Sequence, residues 1–520
     1  MKKRIVKISK GFFLFLAALV ILVVSGILWP LPKIEMPKQH SAILIKSIAV
    51  VDVNTGKVLR NRDILIQGKT ITSIDTTGVI NASKTTFIIN GKGKYIIPGL
   101  WDMHTHSNHY SPWLHHPLYI ANGVTGIRDM SGTLDKKDSY WVGSNERLKW
   151  NHETSSNLRI APRHILQSSY QIDGKSSVPS NSPSFFKLEN ISDVGEFLEF
   201  YKKENVDFIK IYQQIKPSSY KKLAIEAPKY GIHIAGHKPM FLSLEEAINL
   251  GQKSFEHGRI FMFESFPQAD SLKNPKNWKR FFSTSKKNII STYDERIAIG
   301  LMELMKEKNA YWTPTLQTLK FEANAHNLQF LNNPNLKYIT QIRKKLWWGL
   351  DVSNNKKRNL SEDGRDVSKD FYGVVKKQVK EANSIGVLIM AGTDITDSYT
   401  FAGFSVHEEL NDLAESGLSN LEALQTATII PAKYANLQAS YGTVEIGKMA
   451  DLIILDENPL DNIKNTQKIN AVLLNGVLYE ANKLNELKEF TESISSSFHM
   501  NLKTLKSLIS SPLIRVQFAD

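Results

Sequence analysis

Residues Pro98-Gly99-Leu100-Trp101-Asp102-Met103-His104-Thr105-His106 decide how the chain reads. They follow an apolar, strand-forming segment, Tyr95-Ile96-Ile97, and set two histidines two residues apart. On a β-strand residues i and i+2 project from one face, so both imidazoles can point at one metal from a rigid element. Imidazole is the commonest side-chain metal ligand, and zinc accepts it readily. Such a pair also arises by chance, so residues elsewhere in the chain decide its meaning.

Downstream, short apolar strands are predicted at 123–130, 159–167, 207–212, 231–237, 254–258, 310–316 and 386–394. Helix-like stretches at 193–205, 220–230, 244–250 and 420–428 lie between or after them. With the strand ending near His104 this makes eight strands in βα alternation, which predicts an α/β fold of the (β/α)8 TIM-barrel class. The flanks read differently. Strands at 43–53, 63–67 and 70–75, and again at 441–444, 450–455 and 471–479, are punctuated by Asn54-Thr55-Gly56, Gly68-Lys69 and Asn475-Gly476. They predict a small β-sandwich built from both ends of the barrel segment. The expected organisation is an N-terminal anchor or signal peptide (1–30), a proline-stiffened linker (31–41), the first sandwich part (42–97), the barrel (98–440), the second sandwich part (441–481) and a C-terminal extension (482–520). Segments 259–308 and 320–369, polar and studded with aromatics, read as helical insertions on loops.

The 520 residues are 42% hydrophobic and 22% charged, enough for a sizeable core. The formal charge of +14 is scattered over many segments rather than gathered on a recognisable module, which argues against nucleic acid as a partner. There is no cysteine, hence neither a disulfide nor a lipidated cysteine. Lys2, Lys3, Arg4, Lys7 and Lys10 precede an uncharged apolar run, 12–29. About eighteen such residues just suffice to span a bilayer. The basic start predicts a membrane-anchored or exported protein with its barrel on the non-cytoplasmic side. The competing expectation is a leader cleaved near Val24-Ser25-Gly26.

Catalysis on a barrel sits at the C-terminal ends of its strands. There the chain places His104 and His106, Lys210 inside Phe208-Ile209-Lys210-Ile211-Tyr212, His237, His257 and Asp394. Taken singly, each has an ordinary structural role: a rim histidine, a snorkelling lysine, an aspartate N-cap. Four histidines, a lysine and an aspartate at one end of five strands form a constellation.

Those residues, with Gly123-Val124-Thr125-Gly126-Ile127-Arg128-Asp129, Phe255-Glu256-His257-Gly258, Trp312-Thr313-Pro314-Thr315, Ala391-Gly392-Thr393-Asp394, His407-Glu408-Glu409-Leu410 and Gly447-Lys448-Met449-Ala450-Asp451-Leu452, resemble the amidohydrolase superfamily. The likeness is to its imidazolonepropionase-like branch, which includes Xaa-Pro dipeptidases, and it runs from about residue 43 to 479. The resemblance implies two divalent metal ions, zinc first among them, with manganese or cobalt also compatible. His104, His106 and Asp394 would hold one and His237 and His257 the other, with Lys210 as a CO2-derived carbamate bridging both. It further implies a metal-bridging hydroxide as nucleophile and Asp394 as the group that moves the proton. Candidate substrate residues are Tyr212, which shares a strand face with Lys210, His115 beyond the first strand, and Arg128, which either binds a substrate carboxylate or forms a structural ion pair. The expected function is hydrolysis of an amide or related C–N bond in a small molecule, a dipeptide or N-acyl amino acid. Hydrolysis of a cyclic amide or ester is the alternative enzyme, and a non-catalytic binding protein on a hydrolase scaffold the alternative of another class. An oligomer is compatible with the sequence.

Overall fold

A computed structural model describes residues 2–175, 177–274, 286–358 and 367–517, with the side chains of 2–11 and 358 outside that description. Five strands precede the histidine pair: β1 (Ala42–Val51), β2 (Val58–Gln67), β3 (Thr70–Thr76), β4 (Phe87–Asn90) and β5 (Tyr95–Pro98). Eight follow: β6 (Leu100–Thr105), β7 (Val124–Asp129), β8 (Arg163–Gln167), β9 (Phe208–Ile211), β10 (His233–Gly236), β11 (Ser254–Glu256), β12 (Tyr311–Thr313) and β13 (Leu388–Ile389). Three close the series: β14 (Leu452–Leu455), β15 (Ile469–Leu474) and β16 (Val477–Glu480).

The flanking strands form one hydrogen-bonded sheet in the order β16-β15-β14-β5-β1-β2-β3, with β4 also paired to β1. Both ends of the family-like segment therefore build a single unit, stitched where β5 lies antiparallel to β14. A bridge from Thr70 to Met449 brings the far edge strand back to the segment that feeds β14. The turn between β15 and β16 is Asn475-Gly476, with both φ positive (57° and 73°). This backbone matches the twist of a two-residue hairpin. A side chain at Gly476 would overlap the Gly68 carbonyl of the β2–β3 turn, so glycine there is required for the two turns to meet. Residues 441–444 are not a strand. Gly442 has φ +89°, which breaks an extended run, and Tyr441 packs edge-on to Trp101 instead.

Strands β6 to β13 are all parallel to their neighbours, in a three-stranded sheet β6-β7-β8 and a five-stranded sheet β9 to β13. Parallel bridges Ser168–Phe208 and Thr105–Ile395 join the two sheets at both flanks. Beyond the short β13, hydrogen bonds from Met103 N to Ala391 O (2.9 Å) and Asp394 N to His104 O (2.8 Å) continue the contact with β6. The strands are near-continuous apolar runs because helices cover their outer face. The helix Asp193–Lys203 shows how: Val194, Phe197, Leu198 and Tyr201 are buried at i, i+3, i+4 and i+7. Each such side chain contributes about 1.5–3 kcal/mol by leaving water.

The insertions are helical where described, notably Glu295–Glu307 and Val367–Ile385; 275–285 and 359–366 lie outside the described residues. The C-terminal extension forms helices Ala481–Ser496, Phe498–Ser510 and Pro512–Gln517. The N-terminal segment is a helix, Lys2–Leu28, whose Phe12, Phe13, Leu14 and Phe15 are exposed. Among the described residues no helix is long and apolar enough to cross a membrane. Its last turn rests on the extension: Lys503 donates to the Ile27 carbonyl, and Trp29 stacks on His499 with ring centres 5.5 Å apart.

Candidate metal centre

The six residues at the strand ends converge. His104 Nε2 lies 3.4 Å from Lys210 Nζ and 3.3 Å from Asp394 Oδ1. His106 Nε2 is 3.0 Å from the same carboxylate oxygen. His237 and His257 face each other, Nε2 to Nε2, at 3.0 Å, and His257 Nδ1 is 3.6 Å from Asp394 Oδ2. Ligand-type atoms of His104, His257 and Asp394 all fall within 4.8 Å of one another. Close backbone approach makes this convergence possible. A Cβ at Gly392 would come within 2.5 Å of Thr313 Cγ2 and 2.9 Å of His104 Cβ, so no larger residue lets the Asp394 segment lie against β6. Two of the six residues, His257 (φ +73°) and Asp394 (φ +59°), are held in the left-handed region. Such backbone costs about 1–3 kcal/mol per residue and clusters at functional sites.

The electrostatics suit a cation. Burial first, then neighbouring positive groups, hold His104 and His237 well below the usual histidine range. Burial also brings His257 down to about 3. All three are therefore neutral imidazoles with lone pairs to donate. Burial acts to raise Asp394, but the hydrogen bond to His106 and the charges of His257, His106 and Lys210 win and lower it to about 2. Lys210 is almost wholly buried, and that burial lowers its amine to about 8. Neutral imidazoles, one of them aimed nitrogen-to-nitrogen at another, and an ionised carboxylate are the donor set that divalent metals take. The residues present fit the group that the sequence implies.

A second layer fixes the first. His104 Nδ1 is 2.9 Å from Glu256 Oε2. An ionised carboxylate only accepts, so the imidazole proton sits on Nδ1 and Nε2 is left to ligate. Arg128 Nη2 donates to the same Glu256 oxygen at 2.7 Å, and Ser254 Oγ donates to the other at 2.7 Å. Asp102 accepts from Thr393 Oγ1 (2.6 Å) and from the backbone N of Thr393 (3.0 Å) and His104 (3.2 Å). It thereby clamps β6 to the segment that carries Asp394. Thr315 Oγ1 is 2.9 Å from His257 Nδ1.

Arg128 as a substrate-binding residue is corrected by this arrangement. It is fully buried, and its donors are spent on Met103 O, Ser254 Oγ, Tyr434 OH, Glu256 Oε2 and Thr313 Oγ1. With five N–H groups in all, none remains for a ligand. His115 is not brought to the cluster. It bonds Ser111 Oγ at 3.0 Å and lines a pocket with Tyr140, Arg343 and Trp348 that includes none of the six converging residues. Tyr212 is at the centre, its ring 4.0 Å from that of His237. His407 bonds Thr466 Oγ1 and the Asn122 carbonyl, and Glu409 caps the helix Leu316–Ala323 by accepting from Leu316 N and Gln317 N. Sequence reasoning passed over Glu256, Asp102 and Thr315. For the first two the available signal was an acid close before His104 and His257 inside a run that must be buried.

A profile of the Amidohydrolase family matches residues 95–479, and the chain belongs to that family. It is similar to an adenine deaminase of Ligilactobacillus salivarius, 21% identical over 483 residues that cover 91% of this chain and 64% of that protein. The chain spans 34% and 64% of the length of two curated relatives it matches. Among solved structures it resembles a Xaa-Pro dipeptidase with bound methionine (TM-score 0.59, 20% identity, 85% of this chain and 100% of that one). It also resembles bottromycin amidohydrolase (TM-score 0.66, 19% identity, 89% and 91%). Both establish the fold.

Glu256→Gln is expected to weaken metal binding by about 10–100-fold, because a neutral amide oxygen is a weaker acceptor than the carboxylate that holds His104 Nδ1–H. The same change should cost about 3–5 kcal/mol of stability, since it leaves Arg128 buried and unpaired. Metal titration and chemical denaturation check the two effects, and unchanged metal affinity would show that Glu256 does not orient the ligand.

Proposed function

We propose that the chain is a binuclear metal-dependent hydrolase of an amide or related C–N bond, acting on a dipeptide or N-acyl amino acid. The convergence of His104, His106, Lys210, His237, His257 and Asp394, each with a polar atom 3.0–3.6 Å from that of another member, carries this reading. The eight parallel strands, bridged at both flanks, support a closed (β/α)8 barrel as the scaffold. The apolar cluster shared by Ile43, Ile64, Ile71, Leu452 and Leu473 supports a flanking sheet folded over itself as a sandwich.

Bound divalent metals, zinc by preference, supply Lewis acidity that polarises a carbonyl and activates water near neutral pH. The chain's own residues do the rest. His104, oriented by Glu256, and His106 and Asp394 hold one side of the centre; His237 and His257 hold the other. An ammonium at Lys210 cannot ligate a cation. Its lowered basicity favours the neutral amine, which would take up CO2 with release of a proton, and the carbamate would be an anionic oxygen donor to bound metal. Asp394, ionised at neutral pH, takes the proton at its carboxylate as the nucleophile attacks and returns it to the leaving nitrogen. Tyr212, beside His237, lies where a substrate carbonyl or carboxylate arrives.

The name of the curated relative favours a second reading, deamination of a purine at the same centre. A pure binding protein has no need of Lys210 or Asp394 in this arrangement. The exposed apolar residues of the N-terminal helix support an exported protein tethered at that end.

Full-length protein made without chelators should carry about two divalent metals per chain, as a two-metal hydrolase requires. It should also cleave members of a panel of dipeptides, N-acyl amino acids, cyclic amides, esters and adenine. Absence of metal, with no activation by zinc or manganese, overturns the reading, and adenine turnover alone selects the deaminase. Recovery from the soluble fraction of the producing cell's cytoplasm overturns the exported location.

A further inference from the structure

The helix Phe498–Ser510 of the C-terminal extension is amphipathic in the opposite sense to a helix surrounded by water. Its inward face combines Met500 with Thr504, Ser507 and, just past its end, Ser511, all buried. Tyr110 OH donates to the Lys503 carbonyl (2.7 Å), Ser139 Oγ to the Ser507 carbonyl (3.0 Å) and Ser511 Oγ to Asp138 Oδ1 (2.8 Å). These bonds fix that face against the segments that follow β6 and β7. The other face carries Phe498, Leu502, Leu505 and Ile509, spaced i, i+4, i+7 and i+11 in one stripe. Phe498 is 51% and Ile509 65% exposed, and the two leucines are half-buried. A surface helix normally turns such a stripe to the core. Here the stripe runs instead into the N-terminal helix. A Cβ at Gly26 would lie 2.7 Å from Leu502 Cδ1 and 3.1 Å from Phe498 Cε1, so the two helices meet at a close backbone approach.

Exposed apolar surface continuous between two elements calls for a partner, and two observations say which. The first is charge. From Phe498 to Gln517 the chain carries Lys503, Lys506 and Arg515 and no acid, with Lys506 and Arg515 exposed. A helix with an apolar face and basic flanks suits the surface of an anionic bilayer. The second is level. Trp29 ends the uncharged run that starts at Phe12, the position where tryptophan marks a membrane–water boundary, and it stacks on His499 at the start of the helix. We propose that the helix Phe498–Ser510 lies in the interface of an anionic phospholipid bilayer, as a second attachment beside the N-terminal helix. Phe498, Leu502, Leu505 and Ile509 face the acyl chains, and Lys506 and Arg515 face the headgroups. Contact of this kind needs no crossing of the membrane. It rests on the reading that the protein is tethered at its N-terminal end.

The chain has no cysteine, so a thiol introduced for labelling is unique. Full-length Ile509→Cys and, as control, Lys222→Cys on the exposed side of the helix Pro217–Glu226 carry an environment-sensitive fluorophore. Each is reconstituted into vesicles of phosphatidylcholine with phosphatidylglycerol, in which the acyl chains are brominated at graded depths. The label at 509 should shift to the blue and be quenched, most strongly by shallow bromines, because an interfacial helix sits about 5–10 Å deep. The label at 222 should show neither effect. Omitting phosphatidylglycerol should lower the docked-to-free ratio roughly fivefold for each basic side chain engaged. Phe498→Glu, at an exposed position, should bring quenching at 509 down to the level at 222 while the protein stays on the vesicles. An unquenched label at 509 on vesicle-bound protein overturns the proposal and leaves the tether standing. A blue shift without vesicles that grows with protein concentration overturns it too, because a second copy then covers the face. Failure of the full-length protein to associate with either kind of vesicle overturns the tether and this contact together.

Discussion

Lys210→Ala is expected to lose metal and turnover together, with turnover falling by about 10³-fold, the scale on which removal of a group stabilising the transition state acts. The side chain lies between Ile209 and Ile211 and is 1% exposed, with its Nζ 3.4 Å from His104 Nε2. On the proposed two-metal reading an ammonium there would be repelled by the cations, and alanine would leave them with no bridging anion. Small carboxylic acids in the buffer should therefore restore part of both metal content and activity, and Lys210→Glu should retain some metal through a shorter carboxylate. Metal analysis alongside kinetics decides the matter. Normal metal content and normal turnover in Lys210→Ala would mean that the bridge is supplied by another group.

Asp394→Asn should separate what Lys210→Ala joins. The amide keeps a ligand oxygen and its place between His104, His106 and His257, but it cannot take a proton. We expect turnover to fall by about 10²–10⁴-fold, the range for loss of a general acid–base. At least one metal should remain bound, because the four imidazoles are untouched. Esters, whose leaving group needs less protonation than an amine, should lose less than amides. Equal loss on both substrate types would move the proton-transfer role elsewhere.

Much of this arrangement was legible as spacing. Short apolar runs ending in a polar residue marked the strands, because a strand covered by helices shows no alternation until it reaches the open end of the sheet. His104, His106, Lys210, His237, His257 and Asp394 all stand at such ends. What periodicity cannot carry is pairing. Arg128 lies in a strand in a way compatible with two roles. Only the fold brings Glu256, 128 residues away in sequence, within 2.7 Å of it. Residues 441–444 read as a strand from composition, and the single positive φ at Gly442 undoes that reading. The insertions could be recognised as additions but not placed, since their partners, such as Glu322 for Arg259, lie on separate elements.

Glu256 is shared by Arg128 and His104, and so joins the charge balance of the interior to the chemistry of a ligand. Packing that satisfies the arginine has already chosen the tautomer and aim of the imidazole. His104 is thus preorganised by folding itself: a cation arriving there meets an imidazole whose free nitrogen is already set.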